Sequence, residues 1–295
     1  MGTTKRSFVQ AASDSIRNLV WSLYFDDAPS NGGRPFRSIR NLKVWHWLRD
    51  FFPITVVKVA ELDPSRKYVF GYHPHGVISI GAWVTFATNA LDIETIFPGV
   101  RFRFLTLSSN FNIPLVRDWI LALGLASVSK ESCKALLKKG LCPVIVVGGA
   151  AESLNAIPNT YDLVLKKRLG FIKLAIQTEG ASLVPVFGFG ENDVWEQVKD
   201  SRLRRWQTYI RHKVGFAPVL FHGRGIFNYN IGLLPYRKPI TIVVGRPIHC
   251  PYDPNPTEAV LQKVHTQYLA GIESIWEEYK DDYAKDRKRE LRIVE

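Results

Sequence analysis

The chain has 295 residues, which suffices for one large domain or two small ones. Hydrophobic residues make up 46% of it and charged residues 22%, and this balance excludes a wholly disordered protein. The formal net charge of +12 favours an anionic partner, such as nucleic acid, an anionic membrane surface or a phosphate-rich small molecule. A solvated basic surface with no dedicated partner would give the same charge.

Residues 1–60 are predicted to form an amphipathic segment that associates with a membrane. In residues 13–27 apolar side chains recur at helical spacing, and a linker rich in Pro and Gly follows. The stretch "NLKVWHWLRDFFP" then mixes four aromatic side chains with Lys43 and Arg49, a combination that interfacial segments use at the headgroup level. In the alternative interpretation, both pieces pack on the protein's own core.

No stretch has the composition of a transmembrane helix. Residues 68–91 contain no Lys, Arg, Asp or Glu and are long enough to cross a bilayer. They also contain Pro74, glycines and two histidines, which are costly in lipid. We therefore expect this run to be buried inside a folded domain.

Residues 61–295 are predicted to form one α/β domain, with a largely parallel mixed sheet covered by helices. Apolar runs rich in Val, Ile and Phe are typical of buried strands; they are "KYVFGY", "FRFLTL", "CPVIVVGG", "LVPVFGF" and "ITIVVGRPI". Helical patterns separate or follow them near residues 79–91, 114–124, 130–139, 166–180 and 193–210, and a long polar helix follows residue 256. This alternation favours a sheet with helices on both faces.

The sequence "YHPHG" places two histidines at the exit of the first of these strands. Residues two apart in a strand point to the same face, so we expect His73 and His75 to face one pocket. Pro74 favours an extended His73, and Gly76 lets the chain turn at the edge where open α/β sheets bind ligands. Metal ligation, a structural hydrogen-bonded pair and general-base catalysis are the possible roles. The sequence nearby lacks further metal ligands, and the pattern favours His75 as a general base.

The candidate partner of His75 is Glu152, in "VIVVGGAAES". A general base needs a group that fixes its tautomer, commonly a carboxylate. Here an apolar strand ends in Gly148 and Gly149, whose backbone can approach a ligand closely and leave amides free for an anion. Alternatively, Glu152 is a surface residue that caps the next helix.

Basic residues supply candidate contacts to phosphate or to the second substrate. Lys167 and Arg168 begin a helical segment, and Arg224 lies between glycines in "FHGRGIF". An arginine can bind phosphate through two hydrogen bonds, although clusters of this size are also common on solvated faces. The sequence has no nucleic-acid-binding module, zinc spacing or basic recognition helix, so we expect no nucleic-acid partner.

Four blocks occur in order between residues 60 and 250: "YHPHG", "VGGAAESL", "KKRLGFIKLAIQTEGASLVPVFGFGEN" and "GRGIF…LPYRKPITIVVGRPI". Together they resemble the type-2 diacylglycerol acyltransferase family, which includes monoacylglycerol and wax-alcohol acyltransferases. The resemblance implies an enzyme that uses acyl-CoA as co-substrate, without a cofactor, to esterify diacylglycerol to triacylglycerol. It also implies the endoplasmic reticulum membrane and lipid droplets, with the active domain facing the cytosol, and a distant kinship to the glycerolipid acyltransferase fold. A non-catalytic lipid-binding or droplet protein is the alternative from another class.

Two features depart from these relatives. The glycerolipid acyltransferases use His-x-x-x-x-Asp, but Ile78 and Ile80 stand five residues after His73 and His75. The partner carboxylate must therefore come from elsewhere, which keeps Glu152 as the candidate. The family also carries N-terminal membrane-crossing segments, whereas this sequence offers amphipathic aromatic stretches.

The resulting hypothesis is direct acyl transfer. His75 takes the proton of the acceptor hydroxyl, Glu152 holds the imidazole, and a backbone amide near Gly76 or Gly149 stabilises the oxyanion. His73 is expected to shape the pocket. The identity of the acceptor, the acyl-chain preference and the oligomeric state are left open by the sequence.

The three cysteines, Cys133, Cys142 and Cys250, show no paired spacing. This sparse, odd set indicates reduced thiols in a compartment that faces the cytosol. None of them stands in an obviously activating sequence context, which disfavours a covalent acyl-cysteine route.

Overall fold

The structure, a computed structural model, describes residues 26–197, 221–227 and 232–294. Its strands are β1 (Ile54–Lys58), β2 (Lys67–His73), β3 (Phe102–Thr106), β4 (Ala126–Ser127), β5 (Cys142–Val146), β6 (Asp162–Val164), β7 (Ala181–Phe189), β8 (Glu196–Gln197), β9 (Phe221–His222), β10 (Ile240–Val244), β11 (Ile248–His249) and β12 (Arg292–Val294). Its α-helices are α1 (Ala28–Asn31), α2 (Arg37–Arg40), α3 (Lys43–Phe51), α4 (Ile80–Ala82), α5 (Ile93–Ile96), α6 (Val116–Ala122), α7 (Lys130–Lys138), α8 (Gly149–Ser153), α9 (Gly170–Ile176) and α10 (Glu258–Tyr283). Of the helices predicted at residues 13–27 and 193–210, residues 13–25 and 198–210 lie outside the described residues. Residues 26–27 are not helical, and residues 193–197 contain the strand β8 in place of the predicted helix.

Eight of these strands form one sheet, in the order β1–β10–β7–β2–β5–β3–β4 with β11 beside β7. β10 and β11 run antiparallel to β7, and the other neighbouring pairs are parallel. The predicted α/β class with a largely parallel mixed sheet is therefore confirmed. β2 lies between β7 and β5, both parallel to it, so its last residue, His73, lies at the middle of the sheet's carboxyl edge.

Neighbouring residues of β2 enter two separate hydrophobic clusters, one on each face of the sheet. Phe70 and Tyr72 pack in the first cluster, which also contains Phe86. Val69 packs in the second, which contains Tyr268 of α10. This is the two-residue period of a strand, and because both faces are covered the strand is apolar at nearly every position.

The described part of the predicted membrane-associating segment contributes to this core. β1 is the strand beside β10 in the central sheet, and Phe52 is 1% exposed in the first cluster. In α3, Trp45 is buried and its indole N–H donates to a main-chain carbonyl at 2.8 Å, whereas Trp47 is 66% exposed. The boundary predicted at residue 60 therefore separates β1 from the other strands of its own sheet. The association of this segment with a membrane stays a prediction.

The helix predicted at residues 79–91 is much shorter in the structure. α4 has three residues and continues into a π-helical turn, Trp83–Ala87, which ends in extended backbone at Thr88. The Thr88 hydroxyl donates to the carbonyl of Val84 and so satisfies an acceptor that a continuing helix would use. Within the described ranges, every helix is too short or too polar to span a lipid bilayer.

Candidate active site at the carboxyl edge of the sheet

A cavity of about 290 Å³ lies at the carboxyl edge of the sheet, next to the end of β2. Its wall is mainly apolar, with side chains from Val77, Ile78, Trp83, Phe104, Leu105, Leu107, Val128 and Val146. The polar side chains in the wall belong to His75, Ser79, Thr106, Asn110 and Ser153, and the start of α8 adds Gly149 and Ala150. An apolar cavity with few polar groups at this edge is typical of a site for a small, largely apolar ligand.

His75 is the titratable residue in this wall. Its Nδ1 lies 3.1 Å from the carbonyl oxygen of Gly76 and 3.4 Å from the hydroxyl of Ser79. A carbonyl only accepts, and the Ser79 hydroxyl donates to the His75 carbonyl at 2.8 Å, so Nδ1 must carry the hydrogen. Nε2 is then the unprotonated nitrogen. Burial lowers the pKa of His75, which keeps the ring neutral and able to accept a proton.

His73 has a different environment, and the expectation that both rings face one pocket is wrong. The fully buried His73 lies 2.9 Å from the Tyr268 hydroxyl through Nε2. Because that hydroxyl donates to the Gly71 carbonyl at 3.1 Å, His73 Nε2 must be the donor to Tyr268. Burial lowers the pKa of His73 to about 3, so the ring stays neutral. The two rings diverge because β2 ends at His73, and the alternation rule of strands does not extend to His75.

Glu152 is buried in α8, with 2% of its surface exposed. Neither carboxylate oxygen meets hydrogen-bond geometry with a partner, although the His75 backbone amide lies close by, so the expected bond to the His75 ring is not formed. Burial raises the pKa of Glu152 to about 8, against the opposing influence of the Arg168 guanidinium and the His75 backbone amide. The structure therefore brings Glu152 to the main chain of His75, and the Gly76 carbonyl takes the ring-orienting position that we had expected for Glu152.

The basic residues predicted to contact phosphate lie in two different parts of the structure. Arg168 Nη2 donates to the Gly148 carbonyl at 3.2 Å and lies close enough to favour the charged form of Glu152. Lys167 is exposed next to it. Arg224 instead donates to a main-chain carbonyl at 3.3 Å and lies over the Phe51 ring at 5.3 Å. It is not part of the cavity wall.

Glu191, which the sequence patterns above do not single out, lies beneath the turn at Gly76. Glu191 is 1% exposed and accepts hydrogen bonds from the Tyr72 hydroxyl at 2.6 Å and the Gly81 amide at 3.1 Å. Gly76 has a φ of +59°, and a Cβ there would lie 2.8 Å from Glu191 Cγ. The position therefore requires glycine. A carboxylate directly after the strand in "VFGFGEND" was the signal that could have identified Glu191.

Comparison with known proteins shows the family. The sequence profile of the diacylglycerol acyltransferase family matches residues 15–294. The chain belongs to this family. It is 53% identical over 289 residues to diacylglycerol O-acyltransferase 2A of Umbelopsis ramanniana, covering 95% of this chain and 81% of that protein. It is 40% identical over 286 residues to diacylglycerol O-acyltransferase 2 of Homo sapiens, covering 95% and 74%.

A relative whose name gives a different acceptor is 2-acylglycerol O-acyltransferase 1 of Bos taurus, which is 45% identical over 272 residues, or 90% of this chain and 81% of that protein. Among solved structures, the 1-acyl-sn-glycerophosphate acyltransferase PlsC of Thermotoga maritima is similar, with a TM-score of 0.42 and 15% identity over 79% of each chain. The description of the fold rests on the strand order of this chain.

In this family member the cysteines lie away from the cavity wall. Burial raises the pKa of Cys133 to about 12 and that of Cys250 to about 11, and it raises the pKa of Cys142 as well. A buried, protonated thiol is a poor nucleophile, so the geometry gives no support to a covalent cysteine route. Across the described ranges, no group of three or more His, Cys, Asp or Glu side chains is placed to hold a metal ion.

Proposed function

We propose that this chain uses acyl-CoA to esterify the free hydroxyl of diacylglycerol, giving triacylglycerol, with His75 as the general base. Membership of the family and the activities of the similar proteins support the reaction class. The observation that supports the catalytic assignment is the tautomer of His75. Its Nδ1–H is held by the Gly76 carbonyl, which leaves Nε2 free to accept a proton in the wall of an apolar cavity.

The acceptor hydroxyl gives its proton to Nε2 of His75 while its oxygen attacks the carbonyl carbon of the thioester. The tetrahedral intermediate carries its negative charge on the former carbonyl oxygen. When the C–S bond breaks, the imidazolium returns the proton to the sulfur of coenzyme A. The products are an ester and a free thiol, and His75 is neutral again.

The other candidate residues support this step without touching the reacting proton. Gly149 lines the cavity whereas Gly76 does not, so we assign the oxyanion contact to the Gly149 amide. Glu152, next to the His75 main chain, and His73, held by Tyr268, are positioning residues.

The test of the catalytic assignment is His75→Ala. Loss of a general base should lower turnover by about two to four orders of magnitude. The melting temperature should change little, because the ring bonds only to its own turn. His46→Ala, in α3 and outside the cavity wall, is the matched control and should keep full activity. Near-normal turnover of His75→Ala would end the assignment.

Monoacylglycerol and a long-chain alcohol are the alternative acceptors within the family, and the relative from Bos taurus makes the first of them concrete. Expression in cells that cannot make triacylglycerol, followed by analysis of lipid products, separates the three acceptors. We expect triacylglycerol to accumulate. Accumulation of wax ester alone, or no new lipid at all, would contradict the assignment to diacylglycerol.

We further propose that the protein works at the surface of the endoplasmic reticulum membrane and of lipid droplets, facing the cytosol. Six exposed apolar side chains lie in the segments that line the cavity or follow these segments in the chain, and we call them the apolar rim: Ile78, Leu107, Ile113, Leu115, Trp119 and Val128. Three of them, Ile78, Leu107 and Val128, also line the cavity. A water-insoluble substrate can therefore pass from lipid into the cavity along apolar surface.

Leu115 is the most exposed residue of the apolar rim, at 82%. Its φ of +67° and ψ of −48°, with a hydrogen bond of 2.8 Å from the Val116 amide to the Pro114 carbonyl, define a strained γ-turn. The turn exposes a leucine side chain to solvent, and contact with lipid would offset the unfavourable free energy of this strained, exposed conformation.

The test compares Leu115→Asp with Leu233→Asp, which changes a leucine that is 76% exposed on another segment. We expect Leu115→Asp to raise the KM for long-chain diacylglycerol in vesicles several-fold and to leave the KM for a dispersed short-chain diacylglycerol unchanged. Leu233→Asp should change neither value. Equal effects of Leu115→Asp on both substrates would argue against a membrane role for the apolar rim.

A further inference from the structure

A second cavity, of about 460 Å³, shares no residue with the candidate active site. Four arginines line it: Arg37, Arg40, Arg101 and Arg103. Arg103 lies near the amino end of β3, whereas Thr106, at the carboxyl end of the same strand, lines the first cavity. Phe104 and Leu105, which follow Arg103 directly, also line the first cavity, so the two cavities are separate but adjoin along β3.

Arg40 and Arg103 are the more buried of the four. Arg40 is 7% exposed, and its Nε and Nη1 donate to the Asn89 side chain and the Leu123 carbonyl, each at 2.9 Å. These two bonds fix the guanidinium and leave Nη2 for another acceptor. Arg103 donates from Nη1 to the Phe102 carbonyl at 2.7 Å, while its Nε is buried without a hydrogen-bond partner.

The two guanidinium groups repel each other. Burial lowers the pKa of Arg40, the charge on Arg103 lowers it further, and the Glu94 carboxylate opposes both effects. None of the four lining arginines forms an ion pair within 4.0 Å with a carboxylate of the described residues. Asp92 and Glu94 also line the cavity; both are exposed, and the Glu94 charge favours the charged forms of Arg40 and Arg103 without an ion pair within 4.0 Å. Two carboxylates against four arginines leave an excess of positive charge in the cavity wall. Buried cations in such a place favour an anionic ligand.

We propose that this cavity binds a phosphate monoester group, held by Arg40 and Arg103 with Arg37 and Arg101 at its sides. A phosphate monoester carries a charge of about −1.5 to −2 at neutral pH and three strong acceptor oxygens, which matches two adjacent guanidinium forks. A carboxylate would leave one of these charges unbalanced. The site is separate from the acyl-transfer chemistry proposed above and does not depend on it.

The test measures binding of inorganic phosphate to the full chain in detergent by isothermal titration calorimetry. Arg103→Met keeps much of the side-chain volume and removes the charge, and it should weaken binding at least tenfold. Arg66→Met is the matched control, because Arg66 is an exposed arginine outside this cavity, and it should leave binding unchanged. Arg37→Met changes an exposed lining residue and should weaken binding several-fold even if Arg103→Met fails to fold.

Two further titrations identify the source of the group. Coenzyme A against 3′-dephospho-coenzyme A tests a nucleotide phosphate, and vesicles with phosphatidic acid against vesicles with phosphatidylcholine test a lipid headgroup. In one of the two pairs, the ligand that carries the phosphate monoester should bind the wild type more tightly than the ligand without it. Arg103→Met and Arg37→Met should bind both ligands of that pair equally. The proposal is overturned if the wild type binds no phosphate, or if these two variants bind it as well as Arg66→Met does.

Discussion

Gly148 has no space for a side chain, because a Cβ atom there would overlap the Oε2 oxygen of Glu152. We predict that Gly148→Ala displaces this carboxylate and lowers the free energy of unfolding by about 2 kcal/mol, a common cost of overpacking. Turnover should fall as well. Gly170→Ala is the matched control, since nothing lies within 4 Å of its Cβ position. Urea denaturation and turnover of both variants check this, and equal stabilities would contradict the overlap.

The Glu152 carboxyl should also make the protein less stable as the pH rises. Burial raises its pKa from 4.5 to about 8, so between these values the unfolded chain has lost a proton that the folded chain keeps. The free energy of unfolding therefore falls across this interval, by at most about 5 kcal/mol at about 1.4 kcal/mol per pKa unit.

Glu152→Gln should remove this contribution and flatten the decrease in unfolding free energy between about pH 5 and pH 8. The decrease should not vanish, because burial also raises the pKa of Glu191, to about 7. Chemical denaturation at a series of pH values measures both slopes. Parallel curves for the wild type and Glu152→Gln would show that Glu152 has an ordinary pKa in the folded protein.

His75 and Glu152 show what the sequence reveals at this scale. An imidazole at a strand exit and a carboxylate after two glycines indicate that both lie at one edge of the sheet. Which atoms meet depends on the turn: with the chain reversing at Gly76, whose φ is +59°, its own carbonyl reaches the His75 ring. A bond between adjacent residues leaves no spacing pattern, so it could not be predicted.

At the scale of elements, α10 is joined to the end of β2 through Tyr268. Its hydroxyl donates to the Gly71 carbonyl and accepts from His73 Nε2, and all three residues are buried. Tyr268→Phe removes both bonds and leaves the buried Nε2–H of His73 without its acceptor, so we predict a loss of about 2 kcal/mol in the free energy of unfolding. Tyr283→Phe, in the same helix and 41% exposed, should have no such effect. Thermal unfolding of the two variants tests this prediction, and equal melting temperatures would contradict the proposed coupling between α10 and β2.

Burial explains which elements could be predicted. β5 and β10 are covered on both faces, so nearly every position is apolar and the run is visible in the sequence. β1 lies within the segment that is predicted to be amphipathic; Thr55 and Lys58 are exposed and interrupt its apolar pattern, so the strand does not stand out as an apolar run. β4 and β11 have two residues each, too few to leave a period.

At the scale of the whole molecule, residues 26–52 are needed for the core. Trp45 and Phe52 lie in the first hydrophobic cluster, and the Phe52 carbonyl accepts from the Ile240 amide at 3.0 Å. Burying each such side chain stabilises the fold by about 1.5–3 kcal/mol, against a total of about 5–15 kcal/mol for a typical protein. We therefore predict that deleting residues 1–52 prevents folding of the remainder.

Near-ultraviolet circular dichroism and gel filtration of the truncated chain measure this outcome. A paired substitution gives a graded version: Trp45→Ala, at a buried position, should lower the melting temperature, whereas Trp47→Ala, at an exposed one, should not. A monomeric truncated chain with cooperative unfolding would contradict the prediction.

The α/β class could be predicted because the alternation of strands and helices is local in the sequence. The order of the strands in the sheet could not be predicted. β2 pairs with β7, more than one hundred residues away, and β10 returns antiparallel to β7. Such pairings depend on contacts between segments that are far apart in the sequence. They place His73 and His75 at the centre of the sheet edge.

The cavity beside His75 is small for two long-chain lipids. At about 290 Å³ it is just below the range of about 300–1,000 Å³ that encloses a whole drug-sized ligand. The thioester and the hydroxyl can enter together only if the hydrocarbon tails stay outside the cavity. Each methylene that a pocket encloses adds about 0.8 kcal/mol of discrimination, so tails left in bulk lipid give almost none. Such an enzyme would accept fatty chains of many lengths and leave their sorting to the supply of substrate.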